Sequence, residues 1–188
     1  NVYNIAIEGN FDDCQNLVKA MFNDQNFSNK INMSGVNSIN WARIIAQAVY
    51  YFYAYFRIGN GQSLSFSVPT GNFGDIYAGY LAKKLGLPID KLIVATNKND
   101  ILHRAISGGD YTQKKVEETN TPSMDIQIAS NFERLLYDVK DCNSEFTKDV
   151  MSKIKNNTYQ IDNIDLDKIK KNFTSEMLNE NETISMIK

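Results

Sequence analysis

The segment SFSVPTGNFGDIYAGYLAKKLG, Ser65 to Gly86, carries the pattern with the most chemical content. A short apolar run, Leu64 to Val68, leads through Pro69 and Thr70 into Gly71-Asn72-Phe73-Gly74-Asp75, and a helical pattern follows to Leu85. Gly71 and Gly74 have no side chains, so a ligand can come close to the backbone there. The first N–H groups of a helix have no partner within it, and the helix dipole favours negative charge at that end. The expected ligand is therefore an anion, most naturally a phosphate. The loop is neither a Walker loop, since no Gly-Lys-Ser/Thr follows, nor GxGxxG. Asp75 in the first helical turn suits a monoester phosphate better than a triphosphate without a cation. The alternative is a strand-to-helix turn that uses glycine only for tight packing.

Other candidate groups are sparse. His103 is the only histidine, and Cys14 and Cys142 lie far apart, which excludes a disulfide framework and the paired-cysteine zinc patterns. Glu8, Asp12 and Asp13 lack the remainder of an oxygen-ligand set, and the two aspartates suit the first turn of a helix capped by Asn10. Cys14 lies on that helix's apolar face and reads as core. Lys83 and Lys84 end a helix before the Gly86 and Pro88 stop signal, and Lys114 and Lys115 fall in a loop. No metal site is expected.

The elements that must position the loop alternate. Val2 to Ile7 reads as a buried strand, followed by a helix whose Phe11, Cys14, Leu17 or Val18, and Met21 share a face. Residues 23–37, rich in Asn and Ser, read as a loop. Asn37-Ser38-Ile39-Asn40 opens a long aromatic helix to about Arg57, with Gln47 and four tyrosines in its apolar stretch from Ile44 to Phe56. That stretch is too short to cross a bilayer, which takes about 20 apolar residues. Lys91 to Thr96 is a third strand, Asp100 to Ser107 and Ser130 to Asp138 are short helices, and Gly108 to Pro122 is irregular. Of the 42 charged residues, 17 fall in the last 50 positions, which read as two or three amphipathic surface helices with a solvated charged face. Alternation of this kind predicts an α/β fold, a parallel sheet flanked by helices in three layers. Ligands on such sheets bind beyond the carboxyl ends of the strands, here the loops after Ile7, Val68 and Thr96.

The chain has 188 residues and a net charge of −2, with 43% apolar positions. It can bury a core, and it lacks the basic excess of a general nucleic-acid binder. No secretory signal opens it. The first residue is Asn1, not Met, which suggests a piece of something longer.

VPTGNFGDIYAGYLAKKLGLP and KLIVATNKNDILHR resemble threonine synthase, a pyridoxal-phosphate enzyme of fold type II with a tryptophan synthase β-like architecture. AIEGNFDDCQNLVKAMF, NSINWARIIAQAVYYFYAYF and PSMDIQIASNFERLLYD are similar to that family too, in the same order over about residues 1 to 138, and most like its longer form. The resemblance implies conversion of O-phospho-L-homoserine and water to L-threonine and phosphate. It makes Gly71, Asn72, Phe73, Gly74 and Asp75 the cradle for the cofactor phosphate and puts Ser38 and Asn40 near the substrate, although both also suit helix capping. The family's Schiff-base lysine stands in a context that no lysine of this chain shares. The expectation is thus an internal fragment: residues 1–36 end a small domain and link onward, and residues 37–188 form the large-domain core with a charged helical C-terminal segment. Such a piece would be inactive alone and bind pyridoxal phosphate weakly. Its parent would be a cytoplasmic enzyme of threonine biosynthesis. The alternatives are a non-catalytic threonine-synthase-like phospholigand-binding protein and a generic nucleotide-binding α/β domain.

Overall fold

The computed structural model describes residues 2–9, 11–37, 39–155 and 158–187, which fall into two compact units, Asn1–Gly35 and Val36–Lys188. The first unit holds two helices, α1 (Phe11–Asn23) and α2 (Gln25–Lys30). Asp12 and Asp13 occupy the first turn of α1, as the helix dipole favours. Asn10, expected as its cap, lies outside the described residues. Helix α2 corrects the reading of residues 23–37 as loop. Asp24 starts it by accepting from the Phe27 N–H at 3.1 Å, a local cap that offsets the weak helix preference of Asn and Ser. The expected strand at Val2–Ile7 is also corrected. That segment forms no ladder among the described residues, and Val2, Tyr3 and Ile5 are exposed. An apolar run becomes a strand only where another strand takes up its backbone groups. Cys14, expected in the core, is half-buried.

The second unit is built on three parallel strands, β1 (Leu64–Pro69), β2 (Ile89–Thr96) and β3 (Phe173–Met177), in that spatial order. Val68 faces Val94, and Val94 faces Ser175 in register. Helix α3 (Trp41–Ile58) precedes β1, and α4 (Gly74–Lys84) crosses from β1 to β2. The long return from β2 to β3 carries α5 (Ile101–Gly108), a 3₁₀ turn at Pro122–Met124, α6 (Phe132–Val139), α7 (Ser144–Lys155) and α8 (Asn163–Lys170). Helix α9 (Glu180–Ile187) follows β3. Ile44, Ile76, Leu92, Ile101, Phe132 and Phe173 are among the fully buried core side chains.

The charged final third departs from expectation in one respect. Helices α7 and α8 are amphipathic and bury Val150, Ile154 and Ile169, but residues 173–177 form a strand rather than part of a surface helix. Only Phe173 of that strand is fully buried, so its sequence has no apolar run to announce it. Backbone pairing with β2 stabilises it, and pairing leaves no trace in side-chain composition.

Helices α3 and α4 pack closely. A methyl group on Gly79 would lie 2.5 Å from the Tyr51 ring, so only glycine permits this approach. The Tyr51 hydroxyl then donates to the Asp75 carbonyl at 3.0 Å, which ties α3 to the first turn of α4.

Candidate functional site

The loop singled out from sequence lies where a parallel sheet presents ligands, beyond the carboxyl end of β1. Backbone bonding holds its base: the Thr70 N–H donates to the Ala95 carbonyl at 2.8 Å, and the Thr70 hydroxyl donates to the Val68 carbonyl at 2.6 Å. Phe73 sits in the left-handed region at φ 64° and precedes the first residue of α4. Its ring is buried edge-on against Phe132, centroids 5.2 Å apart. Core packing therefore holds the strained residue that turns the chain into the helix. Backbone bonding into α4 begins with Tyr77 N–H to the Phe73 carbonyl at 3.1 Å. The preceding N–H groups of the first turn are helix-end donors.

A cavity of about 300 Å³ opens on this helix start, lined by residues 69–76 together with Gln47, Ser123 and Met124. Gly71 is required by the far wall: a Cβ there would stand 2.4 Å from the Ser123 carbonyl oxygen. Two side-chain oxygens of the lining, Asn72 Oδ1 and Gln47 Oε1, are buried without a hydrogen-bond partner. Buried polar atoms are ordinarily satisfied, so two at one cavity single it out as the candidate site.

Burial raises the Asp75 carboxyl above its ordinary value, with a smaller opposing effect from Tyr51. Burial, then the Asp75 charge, pushes the Tyr51 hydroxyl far upward, so it remains a neutral donor.

A second layer supports the loop. The Asn72 carbonyl accepts from both the backbone N–H and the side-chain Nδ2 of fully buried Asn131, each at 3.1 Å. Arg134 Nε donates to Asn131 Oδ1 at 2.9 Å, and its Nη2 donates to the Ile39 carbonyl at 3.0 Å. This relay joins the loop to the Asn37–Asn40 turn that starts α3. Asn40 caps that helix by accepting from the Ala42 N–H at 2.9 Å. Ser38 lies outside the described residues. The reading from sequence singled out the loop that lines the cavity and did not single out Gln47, Ser123, Asn131 and Arg134. Of these only Gln47 left a signal, as a polar residue inside an apolar helical run.

A larger cleft of about 820 Å³ runs along α4, α6 and α7. Of its two acids, Glu133 and Asp138, the latter is already engaged by the Tyr77 hydroxyl at 2.7 Å and by Lys84 at 3.2 Å, whereas the smaller cavity holds the helix start and the unpaired amide oxygens and is the better candidate. Among the described residues no group of His, Cys, Asp and Glu could hold a metal, and no helix is long and apolar enough to cross a membrane.

No family model matches the chain. It is 56% identical over 156 residues to threonine synthase of Pseudomonas aeruginosa, covering 82% of this chain and 33% of that protein. It is 47% identical to threonine synthase of Saccharomyces cerevisiae, covering 100% of this chain and 39% of that protein. A crystal structure of pyridoxal-phosphate-bound threonine synthase from Brucella melitensis superposes with a TM-score of 0.85 at 51% identity, covering 95% of this chain and 39% of the other. The yeast threonine synthase structure gives 0.84 at 45% identity, covering 97% and 38%. The chain therefore spans between 33% and 39% of the length of these relatives.

Proposed function

Since the chain belongs to the threonine synthase family and has its fold type II architecture, we propose that it forms the cofactor-phosphate cradle of an enzyme that converts O-phospho-L-homoserine and water to L-threonine and phosphate. One observation supports this reading above the rest. The glycine loop and the start of α4 open on a cavity whose lining includes two buried, unpaired carboxamide oxygens and no lysine or arginine. The backbone N–H groups of that helix start suit a phosphate monoester, and each carboxamide can add a donor once a half-turn exchanges its unpaired oxygen for its NH₂; pyridoxal 5′-phosphate fits that description. When bound, the cofactor supplies the electron sink for charge that develops on the substrate carbons.

The chain's own contribution is binding and orientation. The N–H groups at residues 73–76 meet the phosphate oxygens, and Asn72 adds its carboxamide. Gly71 lets the Ser123 carbonyl close the wall. Asp75 limits the charge that the cradle accepts, since its carboxylate repels further anionic groups. Ser38 and Asn40 are assigned to the substrate side, and the relay through Arg134 and Asn131 keeps their turn in register with the cradle. Residues 1–36 are assigned to the end of a smaller domain and residues 37–188 to the core of a larger one. With no lysine in the lining, proton transfer is not assigned to this chain, and the 188 residues alone are expected to be inactive. The same lining also admits a second reading, a threonine-synthase-like protein that binds phosphorylated ligands without turning them over.

Equilibrium dialysis with pyridoxal phosphate, pyridoxal, inorganic phosphate and ATP tests the cradle. The chain should retain pyridoxal phosphate weakly and phosphate measurably, and should fail to retain pyridoxal or ATP. Asn72→Ala should abolish most of that retention. Equal retention of pyridoxal and its phosphate would overturn the reading. A longer polypeptide containing these residues should release phosphate from O-phosphohomoserine, which the second reading forbids.

A further inference from the structure

Gln47 is the feature of the cavity that neither the glycine loop nor the packing of the core accounts for. It lies on α3, in a run that otherwise reads apolar or aromatic from Ile44 to Phe56. Its neighbours along the helix face the core: Ile44, Ala48 and Tyr51 are buried. Gln47 and Tyr51 are four residues apart, so they share a face, and Tyr51 already reaches the first turn of α4 through the Asp75 carbonyl. Gln47 lines the same cavity as residues 69–76, and its Oε1 is buried without a partner. A buried carbonyl oxygen with no partner destabilises the chain that carries it. An apolar residue of similar length would serve packing better.

We propose that Gln47 is a ligand-contacting residue of this site, presenting its carboxamide NH₂ to the phosphate oxygens from the α3 side, opposite the backbone donors of α4. The proposal rests on the cradle reading above and extends it to a second helix. The carboxamide makes no hydrogen bond to the chain among the described residues. A half-turn about its last side-chain bond therefore exchanges oxygen and nitrogen without breaking any contact, and the two ends are nearly equal in size. An anion in the cavity favours the orientation with the donor inward. Asn72 is in the same condition, with Oδ1 buried and unpaired. Two neutral amides then complete a cradle that lacks a cationic side chain, which leaves the net charge of the occupied site negative. Gln47 thereby selects for a phosphate whose charge is partly met by backbone dipoles.

The test compares the wild-type chain with Gln47→Met and Gln47→Glu, using inorganic phosphate and pyridoxal 5′-phosphate as probes in equilibrium dialysis, with thermal unfolding of the unliganded chain. Gln47→Met should weaken binding of both probes by about ten- to a hundredfold, the effect of losing a hydrogen bond to a charged group. It should also raise Tm of the unliganded chain by about 2–4 °C, since a buried unpaired acceptor is removed. A structural role would move Tm the other way. Gln47→Glu keeps the shape but sets a carboxylate against the anion, and it should bind more weakly still at pH 8. Wild-type affinity in either variant overturns the role of Gln47 and leaves the cradle standing. Failure of the wild-type chain to bind phosphate overturns the cradle and this inference with it.

Discussion

Two loops leave adjacent parallel strands of this sheet at the same edge, and they treat their polar groups in opposite ways. After β2, Asn97 and Asn99 are buried, and nearly everything they offer is taken. Asp125 Oδ1 accepts from Asn97 Nδ2 at 2.8 Å, from Asn99 Nδ2 at 3.1 Å and from the Thr119 hydroxyl at 2.7 Å, while its Oδ2 accepts from the Thr119 N–H at 2.9 Å. The Asn99 side chain also exchanges two bonds with the backbone of Glu117, at 2.8 and 2.9 Å. After β1, the loop at residues 71–75 leads into the donor end of α4, and Asn72 Oδ1 of the loop and Gln47 Oε1 of α3 beside it are buried without partners. A polar cluster that satisfies itself rigidifies the fold. A polar cluster left incomplete at a cavity costs stability, which the proposed phosphate would offset. The closed loop also serves the open one, because the strap that it anchors carries Ser123, whose carbonyl forms the wall beside Gly71.

The comparison can be broken at several points. Asp125→Ala should have the largest effect, about 3 kcal/mol, since it strands the Thr119 N–H and takes a charged acceptor from the Thr119 hydroxyl and from two buried asparagine amides that keep only their neutral partners. Urea denaturation at neutral pH measures it, and a loss below about 1 kcal/mol would mean that the network is not cooperative. Gly71→Ala comes next at about 2 kcal/mol, because the added methyl meets backbone rather than a flexible side chain. It should also weaken phosphate retention; a variant as stable and as competent as wild type would show that the Ser123 wall moves freely.

The smallest effect is expected at the far end of the strap. Arg104 donates to Asp100 at 2.9 Å, to Asp110, and to the Thr112 carbonyl at 2.7 Å. Burial alone would raise the Asp100 carboxyl, but the hydrogen bond and charge of Arg104, with help from Lys114, hold it below its ordinary value. Asp110 is likewise held low: burial opposes, while Thr112 and Arg104 prevail. For depressed carboxyls the stabilisation is present above the unfolded value, about 3.9, and is lost as pH falls through the folded one. Arg104→Gln should therefore cost about 1–2 kcal/mol at pH 7. Its unfolding midpoint should fall less than that of wild type between pH 5 and pH 3. Parallel pH profiles for the two proteins would sink this account.

Much of this was legible in the chain. Glycines between a strand and a helix, the Lys83-Lys84-Gly86-Pro88 stop and the NSIN start are local signals, and each falls at the boundary it announced. The strands at 64–69 and 89–96 were visible because they are apolar and bounded by turn residues. The strand at 173–177 was not, because its sequence, FTSEM, is mostly exposed and its stability comes from pairing with β2. The apolar run at 2–7 misled for the complementary reason: hydrophobicity without a pairing partner does not make a strand.

What the sequence determined by itself was local and chemical: a strand that ends in a glycine loop, a helix whose first turn can meet an anion, and a family likeness over about residues 1 to 138. Tertiary structure decided which distant residues attend that loop. Gln47 comes from a preceding helix, Ser123 from a strap anchored by Asn97 and Asp125, and Asn131 and Arg134 from a helix about sixty residues on. Their spacing along the chain follows no period, because contact across a sheet edge depends on how helices cross and not on the repeat of any one of them. The distinction between a satisfied and an unsatisfied amide is likewise a fact of three dimensions, and it is what sets the loop proposed to bind apart from its self-satisfied neighbour.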